Sequence, residues 1–270
     1  MAKTWCPILS IIVIVGMITS GCGSAPITPS AEVRQVLAPT GTLRVGLRQG
    51  TPGQMLLDPV TGEVKGVAYE LGKEFARRLG VPFEVVVLGG NAQFIEALKL
   101  GQVDFASNNA TPAREKEMDF AQAHLEIEAG FLVPPDSSIS ITSVAEADRA
   151  GIRIGVIQGS TTEARFSIEL KNAVLIRAPT QDSAIKMLAA RQMDAFATNK
   201  ANLFEMSDKL PGWRVLDGRY AVEKISIAIP KGRDAGMPFL RQFVDDAKSE
   251  GLVAAAAKRA GLRGTVTESK

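Results

Sequence analysis

A polar segment between Ser107 and Arg114 carries side chains that can hold a small anion. Thr111 followed by Pro112 favours a helix start, because a threonine hydroxyl caps the first amides and proline fits the first helical position. Arg114 would stand in the first turn, where its planar guanidinium can grip a carboxylate through two charge-assisted hydrogen bonds. By residue type alone, the alternative is a solvated arginine paired with a neighbouring glutamate.

A second segment able to hold an anion begins at Gly159. Ser160 and Glu163 have the spacing of a capping box, which predicts a helix that begins after Ser160. The next two amides, those of Thr161 and Thr162, would lie at the helix N-terminus, where anions are favoured. Gly159 permits close approach of the backbone to a ligand. A capped helix without a ligand is the alternative, so the spacing predicts the helix and leaves the ligand open.

The sequence around these segments alternates between strand and helix patterns. A short alternating strand at 43–47 precedes a helical pattern that ends at Gly80. A strand rich in Val and Phe at 82–88 then precedes a helix that Asn91 is expected to cap, and another strand begins at Phe105. Such βαβ units predict a parallel sheet with helices packed on it.

A second unit of the same kind begins near Gly151, and its end repeats a feature of the first. The feature is a Leu, an Asp six residues later and an Asn five residues after the Asp. It occurs as Leu98, Asp104 and Asn109, and again as Leu188, Asp194 and Asn199. Together with the flanking units, this echo predicts two similar lobes, each with polar side chains beyond the C-terminal edge of a strand, where open α/β sheets bind ligands.

Two extended apolar stretches, 130–133 and 225–229, lie between the predicted lobes, and each abuts a proline. Two crossings predict a hinge and a cleft that closes on its ligand. We assign residues 40–131 and 225–270 to the first lobe and residues 132–224 to the second. The predicted fold class is α/β, with two Rossmann-like lobes joined by a two-strand hinge.

The N-terminus is typical of an export signal. Lys3 precedes an apolar stretch at 8–18, which is too short to cross a bilayer and suits a signal peptide. We expect residues 1–21 to be that signal peptide.

The small residues before Cys22 resemble the lipobox of bacterial lipoproteins, with Thr19 in place of the usual aliphatic residue. The resemblance implies that Cys22 carries a lipid anchor, and ordinary signal cleavage is the alternative. The other cysteine, Cys6, would leave with the signal, so no disulfide is expected. Residues 22–39, poor in apolar periodicity, are expected to be the lipidated cysteine and a flexible tether.

The composition is that of an ordinary folded protein. The 270 residues are 46% hydrophobic and 22% charged, which suffices for a buried core in one large domain or two modest ones. The formal net charge of +2 and the lack of a basic block argue against nucleic acid as a partner. The sequence contains no hydrolytic triad or metal-ligand cluster, so we predict no cofactor and no metal.

The segment at 109–120 (NATPAREKEMDF) resembles the T-P-E-R-x-K-x-x-D-F signature of family-3 solute-binding proteins, the polar amino acid receptors of ABC importers. Residues 154–162 (IGVIQGSTT) are similar to their V-G-V-x-x-G-T-T motif, and 192–196 and 227–231 match later landmarks. The resemblance covers residues 42–262. It implies the type II periplasmic binding protein fold, a monomer, an ABC permease as membrane partner, and a periplasmic or cell-surface location.

In this family the arginine at the position of Arg114 grips the ligand's α-carboxylate, and Ser107 and Asn109 match positions that hydrogen-bond the ligand. The resemblance therefore implies a carboxylate held between Arg114 and the helix end at Gly159, Ser160, Thr161 and Thr162. We expect a small carboxylate-bearing ligand, an amino acid or a related organic acid.

Two departures from the family pattern bear on the ligand. Where the family has an acid that pairs with the ligand's ammonium, this chain has Asn199, and burying an unpaired ammonium costs several kcal/mol. Arg48 and Thr51 occupy places where the family has an acidic or small residue and an aromatic lid. Arg48 could meet a second anionic group or face solvent. These departures favour a mono- or dicarboxylate or a ligand with an amidated amine, unless another acid serves the ammonium.

Two other functions remain open at this stage. A few relatives of the fold are cyclohexadienyl or arogenate dehydratases that use a carboxylic acid in the cleft, and Glu70 or Glu163 could supply it. The single histidine, His124, is more often a packed hinge residue at such a position than a catalyst, so we predict a non-enzyme. The other alternative is a sensory lipoprotein that acts without a transporter.

Overall fold

The computed structural model describes Met1 and residues 28–266. The predicted signal peptide and the cysteines at 6 and 22 lie outside the described residues. No helix in the described part of the chain is both long enough and apolar enough to cross a membrane.

In the described part of the chain, nine elements of the first lobe precede the crossing to the second lobe. They are α1 (Ala31–Leu37), β1 (Leu43–Leu47), β2 (Leu56–Leu57), β3 (Val64–Lys65), α2 (Val67–Leu79), β4 (Phe83–Val87), α3 (Asn91–Lys99), β5 (Phe105–Asn109) and α4 (Pro112–Glu115). The long strand β6 (Met118–Val133) then leads into the second lobe.

The second lobe repeats the alternation of strand and helix. Its elements are α5 (Val144–Ala147), β7 (Arg153–Ile157), α6 (Thr161–Glu169), β8 (Val174–Ala178), α7 (Gln181–Ala189), β9 (Ala195–Asn199), α8 (Lys200–Asp208) and β10 (Arg214–Val215). Strand β11 (Ala221–Pro230) returns to the first lobe, which α9 (Met237–Ser249) and α10 (Leu252–Arg259) complete.

The main strands form one sheet in the order β4-β1-β5-β11-β6-β9-β7-β8, and β10 pairs with β6. Each end of this sheet is a parallel trio, with β1 between β4 and β5 and β7 between β8 and β9. The antiparallel pair β6 and β11 joins the two trios. The predicted fold class is therefore confirmed: two Rossmann-like lobes are joined by a two-strand hinge.

Each lobe has its own aromatic core. In the first lobe the Phe75 ring lies 5.4 Å from Phe105 and 4.8 Å from Phe243, measured between ring centroids. In the core of the second lobe, Phe131 of hinge strand β6 lies 6.1 Å from Phe166, and each ring is 5.1 Å from Tyr220. The two groups of rings belong to separate clusters of buried residues, so each lobe packs around its own centre.

The echo seen in the sequence corresponds to a repeated ion pair. In the first lobe, Asp104 accepts hydrogen bonds from the Arg44 backbone amide (3.0 Å) and from Arg44 Nε (2.8 Å). In the second, Asp194 accepts from the Arg153 amide (2.8 Å) and from Arg153 Nε (3.0 Å). Each aspartate thus fixes the start of the central strand of its lobe.

The N-terminal segment differs from the predicted tether. Residues 31–37 form α1, capped by the Ser30 hydroxyl, and the Leu37 side chain is fully buried in the first-lobe core. Arg233 also donates to the Leu37 carbonyl oxygen at 3.2 Å. The expectation of a flexible tether through residue 39 is wrong for this helix, because Leu37 anchors it to the folded body.

The hinge pair contains an irregularity at His124. Ile225 pairs with Leu125, but Ser226 pairs with Ala123, so His124 is an extra residue between two ladder positions. A bulge of this kind re-aims the side chain. The His124 ring is buried, with Nε2 at 3.4 Å from Ser107 Oγ.

Acid is expected to destabilise the fold through His124. Burial, helped by the charge of Lys248, lowers the pKa of His124 to about 3, whereas an unfolded chain protonates histidine near pH 6.5. Below that pH, His124 binds a proton in the unfolded state and stays neutral in the folded state. Above about pH 6.5 the free energy of unfolding does not depend on His124 titration. Between about pH 6.5 and pH 3 it falls by about 1.4 kcal/mol per pH unit.

Urea unfolding of the wild type and of His124→Gln at pH 7, 6 and 5 tests this expectation. The difference in unfolding free energy between the two proteins should shift against the wild type as the pH falls. A difference that stays constant from pH 7 to pH 5 would mean that His124 titrates alike in the folded and unfolded states.

Candidate ligand-binding cleft

A cleft of about 560 Å³ opens between the lobes at the C-terminal ends of the central strands. Its volume lies in the range usual for small-molecule sites. Residues from both lobes and from the hinge strands line it. Among the predicted site residues the lining includes Arg48, Thr51, Ser107, Asn109, Arg114, Ser160, Thr161 and Asn199.

Arg114 lies in α4 as the Thr-Pro pattern predicts. Thr111 is the N-cap, its hydroxyl accepts from the Arg114 amide, and Pro112 takes the first position. The Arg114 side chain is buried, and its Nη1 donates to Asn108 Oδ1 at 2.8 Å. Among the described residues no carboxylate lies within 4 Å of its guanidinium. Burial lowers the pKa of Arg114, and the charge of Glu223 opposes that shift.

Arg48 follows β1 and is held by neutral groups. Its Nη1 donates to Asn91 Oδ1 at 2.6 Å, and its guanidinium carbon lies 5.6 Å from the centroid of the Phe94 ring. Its Nε is buried and finds no hydrogen-bond partner in the described part of the chain. Burial first, then the charge of Arg114, lower the pKa of Arg48 to about 10, while Glu223 opposes the shift. Arg48 therefore stays charged at neutral pH.

Asn91 does not cap α3 as the sequence suggested. Gly90 is the N-cap residue and provides no side-chain bond. The Asn91 amide instead donates to the Gln158 carbonyl oxygen of the second lobe at 3.2 Å while its oxygen accepts from Arg48. Asn91 is thereby a contact between the lobes as well as a holder of Arg48.

Glu223, on the hinge strand β11, is the acid that the sequence analysis did not place. Its Oε2 accepts from Asn199 Nδ2 at 3.2 Å, and its Oε1 accepts from Thr161 Oγ1 at 2.8 Å. The side chain is partly buried and lines the cleft. A carboxylate therefore stands next to Asn199, the position where the sequence pattern lacked one.

Helix α6 begins as predicted, but the side chains at its start contact different groups. The Ser160 hydroxyl accepts from the Glu163 amide as N-cap. Thr161 reaches the cleft, whereas the Thr162 hydroxyl lies 3.0 Å from the Tyr220 hydroxyl in the second-lobe core. That core contact occupies the Thr162 hydroxyl, and the role expected for the Thr162 backbone amide at the helix N-terminus stays a prediction.

The lobes touch each other across the cleft. Asn109 Nδ2 donates to Thr161 Oγ1 at 3.1 Å, and Arg114 Nη2 lies 3.5 Å from the Gly159 carbonyl oxygen. Gly159 thus presents its carbonyl group to Arg114. With the contact from Asn91, these bonds place the structure in a closed arrangement.

Gln54 is a second cleft residue that the sequence analysis missed. It is 6% exposed, and its Nε2 donates to the Ser107 carbonyl oxygen at 2.8 Å. Its Oε1 is buried without a partner among the described residues. A buried acceptor left open costs free energy unless something donates to it, and the cleft is where a donor would arrive. No pattern in the loop after β1 marked this glutamine.

Glu70 and Glu163, the acids that a dehydratase could use, both lie outside the cleft. Glu70 pairs with Arg259 on the outer surface of the first lobe. Glu163 pairs with Arg177 and accepts from the Gly159 amide at 2.6 Å. Neither glutamate lines the cleft, so neither has the position of a general acid.

Comparison with known proteins identifies the family. Residues 43–261 match the bacterial extracellular solute-binding proteins, family 3. The chain belongs to this family. The resemblance drawn from the 109–120 and 154–162 motifs is thereby confirmed.

Its relatives in the family include receptors for different amino acids. The ABC transporter glutamine-binding protein of Bacillus subtilis is 26% identical over 208 residues, which are 73% of this chain and 72% of that protein. The L-arginine-binding protein of Pseudomonas aeruginosa is 27% identical over 202 residues, or 70% of this chain and 76% of that protein.

Solved structures agree on the fold. The ancestral amino acid-binding protein AncCDT-1, a precursor of cyclohexadienyl dehydratase, superimposes with a TM-score of 0.72 at 23% identity. The match covers 84% of this chain and 98% of that chain. At this identity the likeness shows the type II periplasmic binding protein fold, and it does not carry a ligand across.

Proposed function

We propose that this protein is an extracytoplasmic receptor for an α-amino acid, which it delivers to an ABC permease. The observation that carries the proposal is that Arg114 and Glu223 both line one closed cleft, without pairing with each other. One group offers a fork of donors to a carboxylate, and the other offers a charge to an ammonium. A zwitterion satisfies both, whereas a simple carboxylate leaves Glu223 without a cation of its own.

The groups around the cleft suggest how the ligand lies. Its α-carboxylate would bind Arg114 and the N-terminus of α6 at Thr161, where helix ends favour anions. Its ammonium would donate to Glu223. Asn199, which already donates to Glu223, then acts as the residue that orients this acid. Glu223 supports an amino acid ligand despite Asn199, because it supplies a carboxylate beside that residue.

The hinge supports closure around such a ligand. Both proposed lobe boundaries, 131/132 and 224/225, fall within the paired strands β6 and β11. We propose that the lobes move as units about these strands, with residues 40–131 and 225–266 in one and 132–224 in the other. Export through the signal peptide, lipid anchoring at Cys22 and the monomeric state remain part of the proposal from the sequence.

A thermal-shift panel of the purified protein tests the ligand class. The panel contains the common L-amino acids, the same skeletons without the amine, and dicarboxylates. A ligand at 100 times its Kd should stabilise the fold by about 2.7 kcal/mol, a rise in Tm of several degrees. We expect such a rise with amino acids and none with the deaminated skeletons. A rise with the deaminated compounds alone would overturn the proposed role of Glu223.

Arg114→Lys is expected to weaken binding of every amino acid about tenfold, as measured by calorimetry. Lysine keeps the charge but loses the planar fork that bonds a carboxylate twice. Arg241→Lys, at an exposed site on α9, is the matched control and should leave affinity unchanged. Equal affinities for the wild type and Arg114→Lys would show that the carboxylate binds elsewhere.

A further inference from the structure

We propose that the preferred ligand is an acidic amino acid, whose side-chain carboxylate binds Arg48. The inference rests on the proposed function, because it takes the α-carboxylate and ammonium as held by Arg114 and Glu223. It adds the chemistry of the ligand's side chain, which those two groups do not determine.

The interior of the cleft has one more positive charge than negative charges. Arg48 and Arg114 bring two positive charges to its interior, and Glu223 brings one negative charge. The other two charged lining residues, Asp182 and Lys209, are exposed and opposite in sign. A neutral zwitterion would therefore leave one buried cation uncompensated, which is costly. A ligand with a net charge of −1 restores balance.

The partners of Arg48 carry the second step. Away from the cleft, Arg44 and Arg233 both pair with the buried carboxylate of Asp104, at 2.7 Å and 2.9 Å. Arg48 has instead an amide oxygen and an aromatic face, which orient a guanidinium without neutralising it. Within the described part of the protein, no group accepts a hydrogen bond from its buried Nε. This is the arrangement of an arginine kept for an anion.

Strand order carries the third step. Arg48 follows β1 and Glu223 lies on β11, with β5 between them. Both side chains line the cleft, so a ligand that lies across β5 can contact Arg48 with one end and Glu223 with the other.

Thr51 is consistent with a polar side chain at this end of the cleft. It lines the cleft on the loop after β1, where the family's aromatic lid would otherwise cover an apolar or planar ligand side chain. Without that ring, the side-chain end of the cleft offers a charged group and hydroxyl and amide groups. A carboxylate is therefore better served there than a hydrocarbon.

Calorimetric titration with L-glutamate, L-aspartate, L-glutamine and glutarate tests the proposal. The wild type should bind one of the two acidic amino acids at least about 100-fold more tightly than glutamine. Glutarate, which lacks the ammonium, should bind weakly. Arg48→Gln should lower the affinity for the acidic ligand about 100-fold, and it should lower the ratio of acidic-ligand to glutamine affinity by at least about tenfold. Arg48→Lys should recover part of the preference, and Arg241→Gln should change nothing.

The outcomes separate this inference from the proposed function. Tight binding of a neutral or basic amino acid, with no preference for the acidic ones, would overturn the role of Arg48 and keep the receptor for an amino acid. An unchanged ratio of glutamate to glutamine affinity in Arg48→Gln would overturn it equally. Binding of glutarate in preference to glutamate would overturn the proposed function itself.

Discussion

Glu223→Gln is expected to weaken amino acid binding by about 100-fold to 1,000-fold. The substitution keeps the size of the side chain, removes its charge and leaves one acceptor oxygen where the carboxylate has two. The ligand's ammonium would then be buried near Arg48 and Arg114 without a counter-charge, and breaking one partner of a buried ion pair costs about 3–5 kcal/mol. Calorimetry with the best ligand measures the loss directly.

A negative charge placed at position 199 in the Glu223→Gln background offers a stringent control. Asn199 Nδ2 lies 3.2 Å from Glu223 Oε2, so Asn199→Asp places a carboxylate beside the position that Glu223→Gln has neutralised. The double variant should bind at least tenfold more tightly than Glu223→Gln alone. In the wild-type background Asn199→Asp should lower the stability of the unliganded protein, because two neighbouring carboxylates repel each other. Full affinity in Glu223→Gln would mean that the ammonium is bound elsewhere, or that the ligand has none.

Local patterns in the sequence predicted the elements that depend on local physics. The hydroxyl caps at Thr111 and Ser160 each accept a backbone amide in the structure. Gly80 ends α2 in the left-handed conformation, with φ of 74°. Caps and apolar periodicity depend on residues within one or two turns. They can therefore be recognised without knowing how the chain folds back.

The role of Glu223 depended on contacts between residues far apart in sequence. It lies 24 residues after Asn199 and 62 after Thr161, its two hydrogen-bond partners. A signal was nevertheless present, because Glu223 is in phase with Ile225, which lines the same cleft. A charged residue on the inward face of a hinge strand is a candidate site residue. The predicted apolar stretch begins at Ile225 and so does not include this glutamate.

The composition of residues 22–39 predicted a flexible tether where the structure has α1, and the reason is related. Prolines and small residues around 23–39 are typical of a linker, but a single leucine decides the outcome. Leu37 is fully buried beside Gly236, and Arg233 binds its carbonyl oxygen. Those partners lie about 200 residues away in sequence, so no local pattern could have revealed them.

Asp104→Asn is expected to lower the free energy of unfolding by about 3–5 kcal/mol, a large part of a typical total. The Asp104 side chain is fully buried and compensates two arginines, Arg44 and Arg233, whose side chains are 20% and 11% exposed. Asparagine would retain one acceptor and leave both guanidinium groups without a counter-charge. Urea unfolding followed by circular dichroism measures the change, and thermal melting should show a Tm lower by about 10 °C.

Asp194→Asn is the matched control that the repeated architecture provides. Asp194 accepts the same backbone and Nε bonds from the central strand of its lobe, but it pairs with one arginine, Arg153, and both side chains are partly exposed. Solvent screens this pair, so its loss should cost only about 1 kcal/mol. Equal losses in the two variants would mean that the bond to the strand amide, which both aspartates share, matters more than the buried charge. A much larger loss for Asp104→Asn would show that the first lobe depends on a buried ionic centre that its counterpart lacks.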